Sequence, residues 1–387
     1  MNVKKIDETY IAGTYARFPL QITRGEGSLV YDENGKEYID MATGIAVNTF
    51  GVSDKIWADA VSAQAAKLQH TSNLYYTEPC AALAETLCER TGMKKVLFSN
   101  AGAEANECAI KVARKYAAEK YGEKRHLIVT LVNSFHGRTL TTLAATGQDT
   151  FHKDFLPLTP GFLHTPANDI DAMKALLARD DIAAVMMEPV QGEGGVNPLD
   201  PDFILAVEKL AKERDILIIV DEVQCGNGRS GYLYAYMHYG LNPDIVSTAK
   251  GLAGGLPLGA TMMGEKTQNV LTPGSHGSTF GGNPVCCAGA LSILNRLDDA
   301  LLSGVRERAD FIRKELNGAE GIVSVSGLGL MIGVETEKDS GEVIRACMDR
   351  GVLFIKAKNK VRLLPALNIP TDLLKKAISV LKDVCAQ

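Results

Sequence analysis

At 387 residues the chain is longer than one ordinary compact core requires, which predicts a large domain accompanied by a smaller one. A formal net charge of -5 and an isoelectric point near 5.9 argue against a nucleic-acid surface, and no block of like charge reads as a tail. No apolar run approaches membrane-spanning length, so the expected partner is a small molecule rather than nucleic acid or a membrane.

The first residues, MNVKKIDETYIAGTYARF, hold a basic pair with no apolar core after it, so no secretory signal is predicted and the expected location is the cytoplasm. Next comes SLVYDENGKEYIDM (28–41), which reads as a hairpin on the Asn34-Gly35 turn. From residue 95 to about 264, short aliphatic runs alternate with helical stretches: KVLFSN, HLIVTLVNS, AAVMMEPV, ILIIVDE, DIVSTAK and GATMMG. This is the pattern of an α/β domain with a mostly parallel sheet covered by helices on both faces. After Pro284 a long helical stretch leads to GIVSVSGLGLMIGVE, GVLFIKA and KVRLLPALNI, then to an amphipathic helix opening near Thr371. The expected division is an N-terminal segment at 1–48 packing with the small domain, a large domain at 49–290 and a small α+β domain at 291–387. Eight scattered cysteines, with no Cys-x-x-Cys pair and no zinc-like spacing to histidine, predict reduced, packed thiols and no metal site.

The first five runs end in polar clusters, and in parallel sheets ligands gather at the carboxyl ends of strands. One of these ends, ILIIVDEVQCGNGRSG (216–231), carries Asp221 and Glu222 side by side. Aliphatic residues running into Asp-Glu also suit the magnesium strand of a phosphate-loop ATPase. That chemistry needs Gly-x-x-x-x-Gly-Lys-Ser/Thr, and the chain's one Gly-Lys, Gly35-Lys36, precedes Glu37 in the hairpin turn. A dinucleotide fold needs Gly-x-Gly-x-x-Gly, which SNAGAEANE (99–107) does not supply. What SNAGAEANE offers is a small-residue loop at a helix start, where backbone amides can approach one phosphate; a simple helix cap is the alternative. Lys250 follows an apolar strand and precedes GLAGGLPLGA, where nothing bulky covers it. Partial desolvation lowers a lysine pKa and makes the amine nucleophilic, although a snorkelling lysine at a strand end is also possible. A phosphate cup, a carboxylate and a lysine on neighbouring strand ends together suit pyridoxal 5'-phosphate.

These motifs, with SFHGRT (134–139), EPVQGEGG (188–195), HGSTFGGNP (276–284) and VRLLPALNI (361–369), resemble the class III aminotransferases of fold type I over nearly the whole chain. The resemblance implies that Lys250 holds the cofactor covalently and moves the proton, and that Asp221 pairs with the ring nitrogen. It also implies that Gly102 and Ala103 bind the phosphate, that Phe135 and Val223 cover the ring faces, and that Gln224 lies near the ring hydroxyl. Thr279 would reach the phosphate of the neighbouring subunit in a homodimer. Arg138, Ser278 and Tyr15 would bind substrate. Arg362 would hold the α-carboxylate of a keto acid, with Glu193 pairing to it in between. The stretches TYARFPL (14–20) and NLYYTEP (73–79) are most similar to the branch that uses acetylornithine as donor and 2-oxoglutarate as acceptor in a ping-pong cycle of arginine biosynthesis.

Other ω-amines, namely succinylornithine, ornithine, 4-aminobutyrate or a lysine-pathway intermediate, stay open as donors, as do an aminomutase and a non-catalytic binding protein. Two departures stand out: Ala103 occupies a place where many relatives carry a hydroxyl, and Cys225 follows Gln224 close to the expected ring. Strand alternation predicts that Asp221 and Val223 face the site while Glu222 points away.

Overall fold

The structure, a computed structural model, describes residues 2–387. Its centre is a seven-stranded sheet built from β1 (Lys95–Ser99), β2 (Leu127–Leu131), β3 (Phe162–Thr165), β4 (Ile182–Met187), β5 (Leu217–Asp221), β6 (Ile245–Thr248) and β7 (Gly259–Met263). The spatial order is β1-β7-β6-β5-β4-β2-β3. Only β7 runs antiparallel to its neighbours, β6 and β1. The carboxyl ends of β1, β2, β4, β5 and β6 therefore emerge along one edge. Strands β4 and β5 are buried at every position, which is why they read as unbroken aliphatic runs rather than alternating ones. The six aliphatic runs read from the sequence all become strands. The edge strand β3, FLHT, is missed because three of its four residues are not buried and it carries no aliphatic run.

Helix α1 (Gly102–Tyr121) packs its Ala, Ile and Val face on this sheet and leaves its lysines outward. The predicted long helix after Pro284 is two helices, α2 (Pro284–Leu294) and α3 (Asp299–Leu316). The break has a local cause: the Asp298 carboxylate accepts the Leu301 N–H at 2.8 Å and starts a new helix.

The hairpin strands Leu29–Asp32 and Glu37–Asp40 turn at Asn34 and Gly35, where the Asp32 carboxylate accepts N–H bonds from Asn34 and Lys36, each 2.9 Å. Glu37–Asp40 then pairs in parallel with Val352–Leu353, so the two chain ends share a sheet. A separate antiparallel sheet joins Ile322–Leu328, Met331–Thr336, Lys360–Leu363 and Ile355–Ala357. Helix α4 (Thr371–Ala386) seals it with Leu374, Ile378 and Leu381, all buried. Arg229, itself buried, donates to the carbonyl oxygens of Leu330 and Pro365 and ties the loop after β5 to this second unit. Among the described residues no helix is long and apolar enough to cross a membrane.

Glu222 lies in this framework rather than at the sheet edge cavity. It is fully buried and accepts the Tyr236 N–H at 2.7 Å, while the Cys225 thiol donates to its other oxygen at 3.3 Å. Burial pushes the Cys225 thiol well up, as befits a packed residue rather than a reactive one. Burial also pushes the Glu222 carboxyl from its ordinary 4.5 up to about 7. The folded protein thus keeps this proton where the unfolded chain has lost it. The neutral carboxyl is harmless below pH 4.5, and its ionisation costs about 3 kcal/mol once the pH has risen through 7. Glu222→Gln should therefore gain in unfolding free energy relative to wild type between pH 5 and pH 8. Parallel denaturant titrations at the two values check this, and an unchanged difference would contradict it.

Candidate active site

At the edge where five strands emerge lies a cavity of about 470 Å³, a size that suits a small cofactor with part of a substrate. The residues reach it from five separate strand ends. The loop after β1 starts helix α1 at Gly102, and its cap residue, Ala101, has no side chain able to satisfy the first amides. Those amides are left for a ligand, and the helix dipole favours an anion there. Gly102 is required by close approach: a Cβ on it would stand 2.6 Å from Val223 Cγ1. The wall opposite the helix start is therefore set by β5, through Val223.

Asp221 is the last residue of β5 and is almost fully buried. Its Oδ2 accepts from Asn106 Nδ2 at 2.7 Å and faces His136 Nδ1 at 2.8 Å, and its Oδ1 accepts the Val223 N–H at 3.0 Å. Asn106 also donates to the His136 carbonyl and accepts from Ser247 Oγ, so α1, β6 and the loop after β2 all converge on one carboxylate. These three bonds fix the carboxylate in place, in a position suited to a cationic partner.

Lys250 follows β6 and has φ +48°, a left-handed conformation that costs a lysine about 1 kcal/mol or more. Burial pulls its ammonium below the ordinary lysine range; Glu193 opposes this and Arg362 reinforces it. The result is an amine that gives up its proton more readily than a surface lysine. Phe135 lines the same cavity, and Arg138 stacks over it and over Phe151, with its carbon 5.6 and 4.4 Å from the two ring centres.

Beside the cavity, Arg362 is buried and donates from Nη1 to Glu193 Oε1 at 2.6 Å and to Gln224 Oε1 at 2.9 Å. Gln224, which lines the cavity, in turn donates to Glu193 at 3.2 Å. Burial alone would raise the Glu193 carboxyl; Arg362 overcomes that and holds it below its usual range. Arg362 Nη2 donates further to Glu193 Oε2 and to the Lys356 carbonyl, each at 3.3 Å, and its Nε is left unpaired.

Lys250, Asp221, Gly102, Ala103, Phe135, Val223, Gln224 and Arg138 thus meet in one cavity, with Glu193 and Arg362 against it. Three other expected residues do not. Ser278 and Thr279 line a different cavity, beside Tyr75 and Tyr76. Tyr15 is exposed on the segment before the first strand, against Arg17. Sequence reasoning missed His136 and Glu188 as site residues. His136 lay inside SFHGRT, and Glu188 was signalled by an acid directly after the aliphatic run of AAVMMEPV.

The residues fit pyridoxal phosphate: an uncapped helix start for its phosphate, a buried anion for its ring nitrogen and a desolvated amine for its aldehyde. Fold and cavity together define the class, a pyridoxal-phosphate enzyme of fold type I.

Comparison with known proteins narrows this. The family pattern described as aminotransferase class-III matches residues 10–385. Acetylornithine aminotransferase of Haemophilus ducreyi is 50% identical over 387 residues, covering 100% of this chain and 98% of that protein. Among solved structures, ornithine aminotransferase of Toxoplasma gondii superposes with a TM-score of 0.94 at 32% identity, covering 99% of this chain and 94% of that one. That structure has pyridoxal phosphate in partial occupancy at its active site. N-acetylornithine aminotransferase of Stenotrophomonas maltophilia gives a TM-score of 0.85 at 33% identity, covering 99% and 98%. The chain belongs to the class III aminotransferases, and its cofactor is pyridoxal 5'-phosphate.

Gly102 gives a direct test of the cofactor cradle. Overpacking costs about 1–3 kcal/mol, so Gly102→Ala should weaken cofactor binding about tenfold. Titration of the apoenzyme with pyridoxal phosphate measures this, and an unchanged affinity would mean that Val223 is not a fixed wall.

Proposed function

We propose that this enzyme transfers the terminal amino group of N2-acetylornithine to 2-oxoglutarate, giving N-acetylglutamate 5-semialdehyde and glutamate. The observation that carries the reading is the Arg362–Glu193–Gln224 set beside Lys250. The donor's reacting carbon bears no carboxylate, whereas the acceptor's does. A buried arginine left unpaired is costly, so Glu193 neutralises Arg362 while the donor is bound. When 2-oxoglutarate enters, its α-carboxylate takes the place of Glu193 in a two-pronged contact with the guanidinium. An enzyme that met only α-amino acids would have no use for the carboxylate. The full-length likeness to acetylornithine aminotransferases supports the same donor.

Pyridoxal phosphate supplies an aldehyde that bonds to amines and a ring that accepts electrons. The chain's residues do the rest. Lys250 Nζ, uncharged more readily than a free lysine, accepts the proton that leaves the substrate carbon bearing the reacting nitrogen, and later returns one. Asp221, fixed by Asn106, His136 and the Val223 amide, holds a proton on the ring nitrogen that faces it, and so keeps the electron acceptor strong. The amides of Gly102 and Ala103 hold the phosphate. Phe135, Val223 and Gln224 line the cavity, where the first two would confine the ring and Gln224 would offer its amide to the ring hydroxyl. Arg138 binds the carboxylate at the far end of the donor, from its exposed stack on Phe151. Because the two halves of the reaction use one site in turn, the kinetics are ping-pong.

We assign Thr279 to the phosphate and Ser278 to the substrate of a second copy, which makes the active unit a homodimer. Support comes from their separate cavity and from the exposed Leu74, Tyr75, Tyr76 and Phe280 nearby, an apolar cluster suited to a partner. Tyr15, exposed in the single chain, is assigned to substrate in the same assembly. The reading divides the chain into an N-terminal segment at 1–48 packing with the small domain, a large domain at 49–290 and a small domain at 291–387. Its eight free thiols suit a reducing compartment, the cytoplasm.

Initial rates with 2-oxoglutarate on acetylornithine, succinylornithine, ornithine and 4-aminobutyrate test the donor. Acetylornithine should exceed 4-aminobutyrate in kcat/KM by about tenfold or more. Equal or faster turnover of 4-aminobutyrate would sink the assignment. The mass of the protein in solution should be that of two chains, and a monomer with full activity would remove the shared-site reading.

A further inference from the structure

Glu188 has no part in the chemistry above, yet it lines the cavity and is almost entirely buried. It follows β4 directly. Burial first, and then the neighbouring Asp221 charge, push its carboxyl well above the usual range. A buried acid in a ligand cavity is expensive to maintain unless its hydrogen bonds matter. Its Oε2 accepts the Phe135 N–H at 2.9 Å, and its Oε1 accepts the Gly192 N–H at 3.4 Å.

Those two amides belong to different parts of the site. Phe135 lines the cofactor cavity, and Gly192 immediately precedes Glu193, the carboxylate that pairs with Arg362. Gly192 is also wedged on its other side, since a Cβ there would stand 2.4 Å from Gln224 Oε1. Gln224 bonds both Arg362 and Glu193. The Gly192 backbone is therefore clamped between the Glu188 carboxyl and the Gln224 side chain. A shift of it would pass to Glu193 and Gln224, the two side chains that Arg362 meets.

We propose that Glu188 is a positioning residue for the Glu193 switch, fixing the Gly192 backbone so that Glu193 neutralises Arg362 when the ω-amine donor binds. The inference rests on the functional reading given above. Its consequence is specificity: with the clamp loosened, Arg362 is less well neutralised, the ω-amine donor suffers, and glutamate, which carries an α-carboxylate, does not.

Glu188→Gln isolates the effect. The amide oxygen keeps the shorter bond to Phe135, and the NH2 group then meets the Gly192 N–H, donor against donor. Single-turnover half-reactions of the holoenzyme with acetylornithine and with glutamate, followed by the cofactor's visible absorbance, give the preference between donors. Cofactor affinity of the apoenzyme and Tm are measured alongside. The ratio of acetylornithine to glutamate reactivity should fall about five- to tenfold, with cofactor affinity held within about twofold and Tm unchanged. Glu188→Asp, a carboxylate one methylene too short to reach both amides, should move the ratio in the same direction. An unchanged ratio in both variants overturns the proposal. So does an equal loss in both half-reactions together with lost Tm, which would mark a merely structural acid. Failure of the functional reading is distinguishable, because it shows in the wild-type enzyme as reaction with glutamate but none with acetylornithine.

Discussion

A carboxylate held out of water at the end of a fully buried strand organises this protein. A buried carboxylate without partners is costly, since its desolvation is worth several kcal/mol. Asp221 has partners: α1 contributes Asn106, the loop after β2 contributes His136 and its own loop contributes the Val223 amide. Those donors belong to segments far apart in the chain, so satisfying one charge fixes the relative positions of three elements. Gly102 and Val223 are brought to contact by the same convergence, which leaves a helix start, a strand end and a lysine around one cavity.

The second charged group, Arg362, comes from the other sheet. It is as buried as Asp221, and the acceptors it meets are the Glu193 carboxylate, the Gln224 side-chain oxygen and the Lys356 carbonyl. One difference separates the two. The Asp221 partners are fixed by further bonds from α1 and β6, whereas the carboxylate that faces Arg362, Glu193, is a side chain on a loop. An electrostatic site of the first kind tunes one ring throughout a reaction cycle. One of the second kind can be exchanged between two substrates that differ by a carboxylate. Burial at both places is what gives these charges their influence, because a solvent-screened pair would discriminate little.

Much of this was legible before any coordinates. Six aliphatic runs between polar exits specify a parallel core, since only strands buried on both faces read so continuously. The expected sides also hold, with Asp221 and Val223 at the cavity and Glu222 bonded to the Tyr236 amide within the core, although β5 ends at Asp221 and the turn after it, not strand alternation, places the other two. Other features left little trace. The edge strand β3 is too short and too exposed to show a pattern, and the gap between α2 and α3 depends on one capping aspartate. His136 left no trace as a site residue because its partner lies 85 residues away, whereas Glu188 showed as an acid at a strand exit and only its bond to the Phe135 amide needed the fold.

By itself the sequence determined the order of the elements, the polar strand exits and the types of residue available for chemistry, because local periodicity and residue identity are properties of short segments. The tertiary structure alone decided which exits share a cavity and that Ser278, Thr279 and Tyr15 lie outside it in a single chain. It also decided that Arg362 meets Glu193, which lies 169 positions earlier, and that Glu188 accepts the amide of Phe135, 53 positions before it. These are contacts between segments brought together only by packing. Burial and pairing, which set the charge of each group, follow from that packing and from no stretch of sequence.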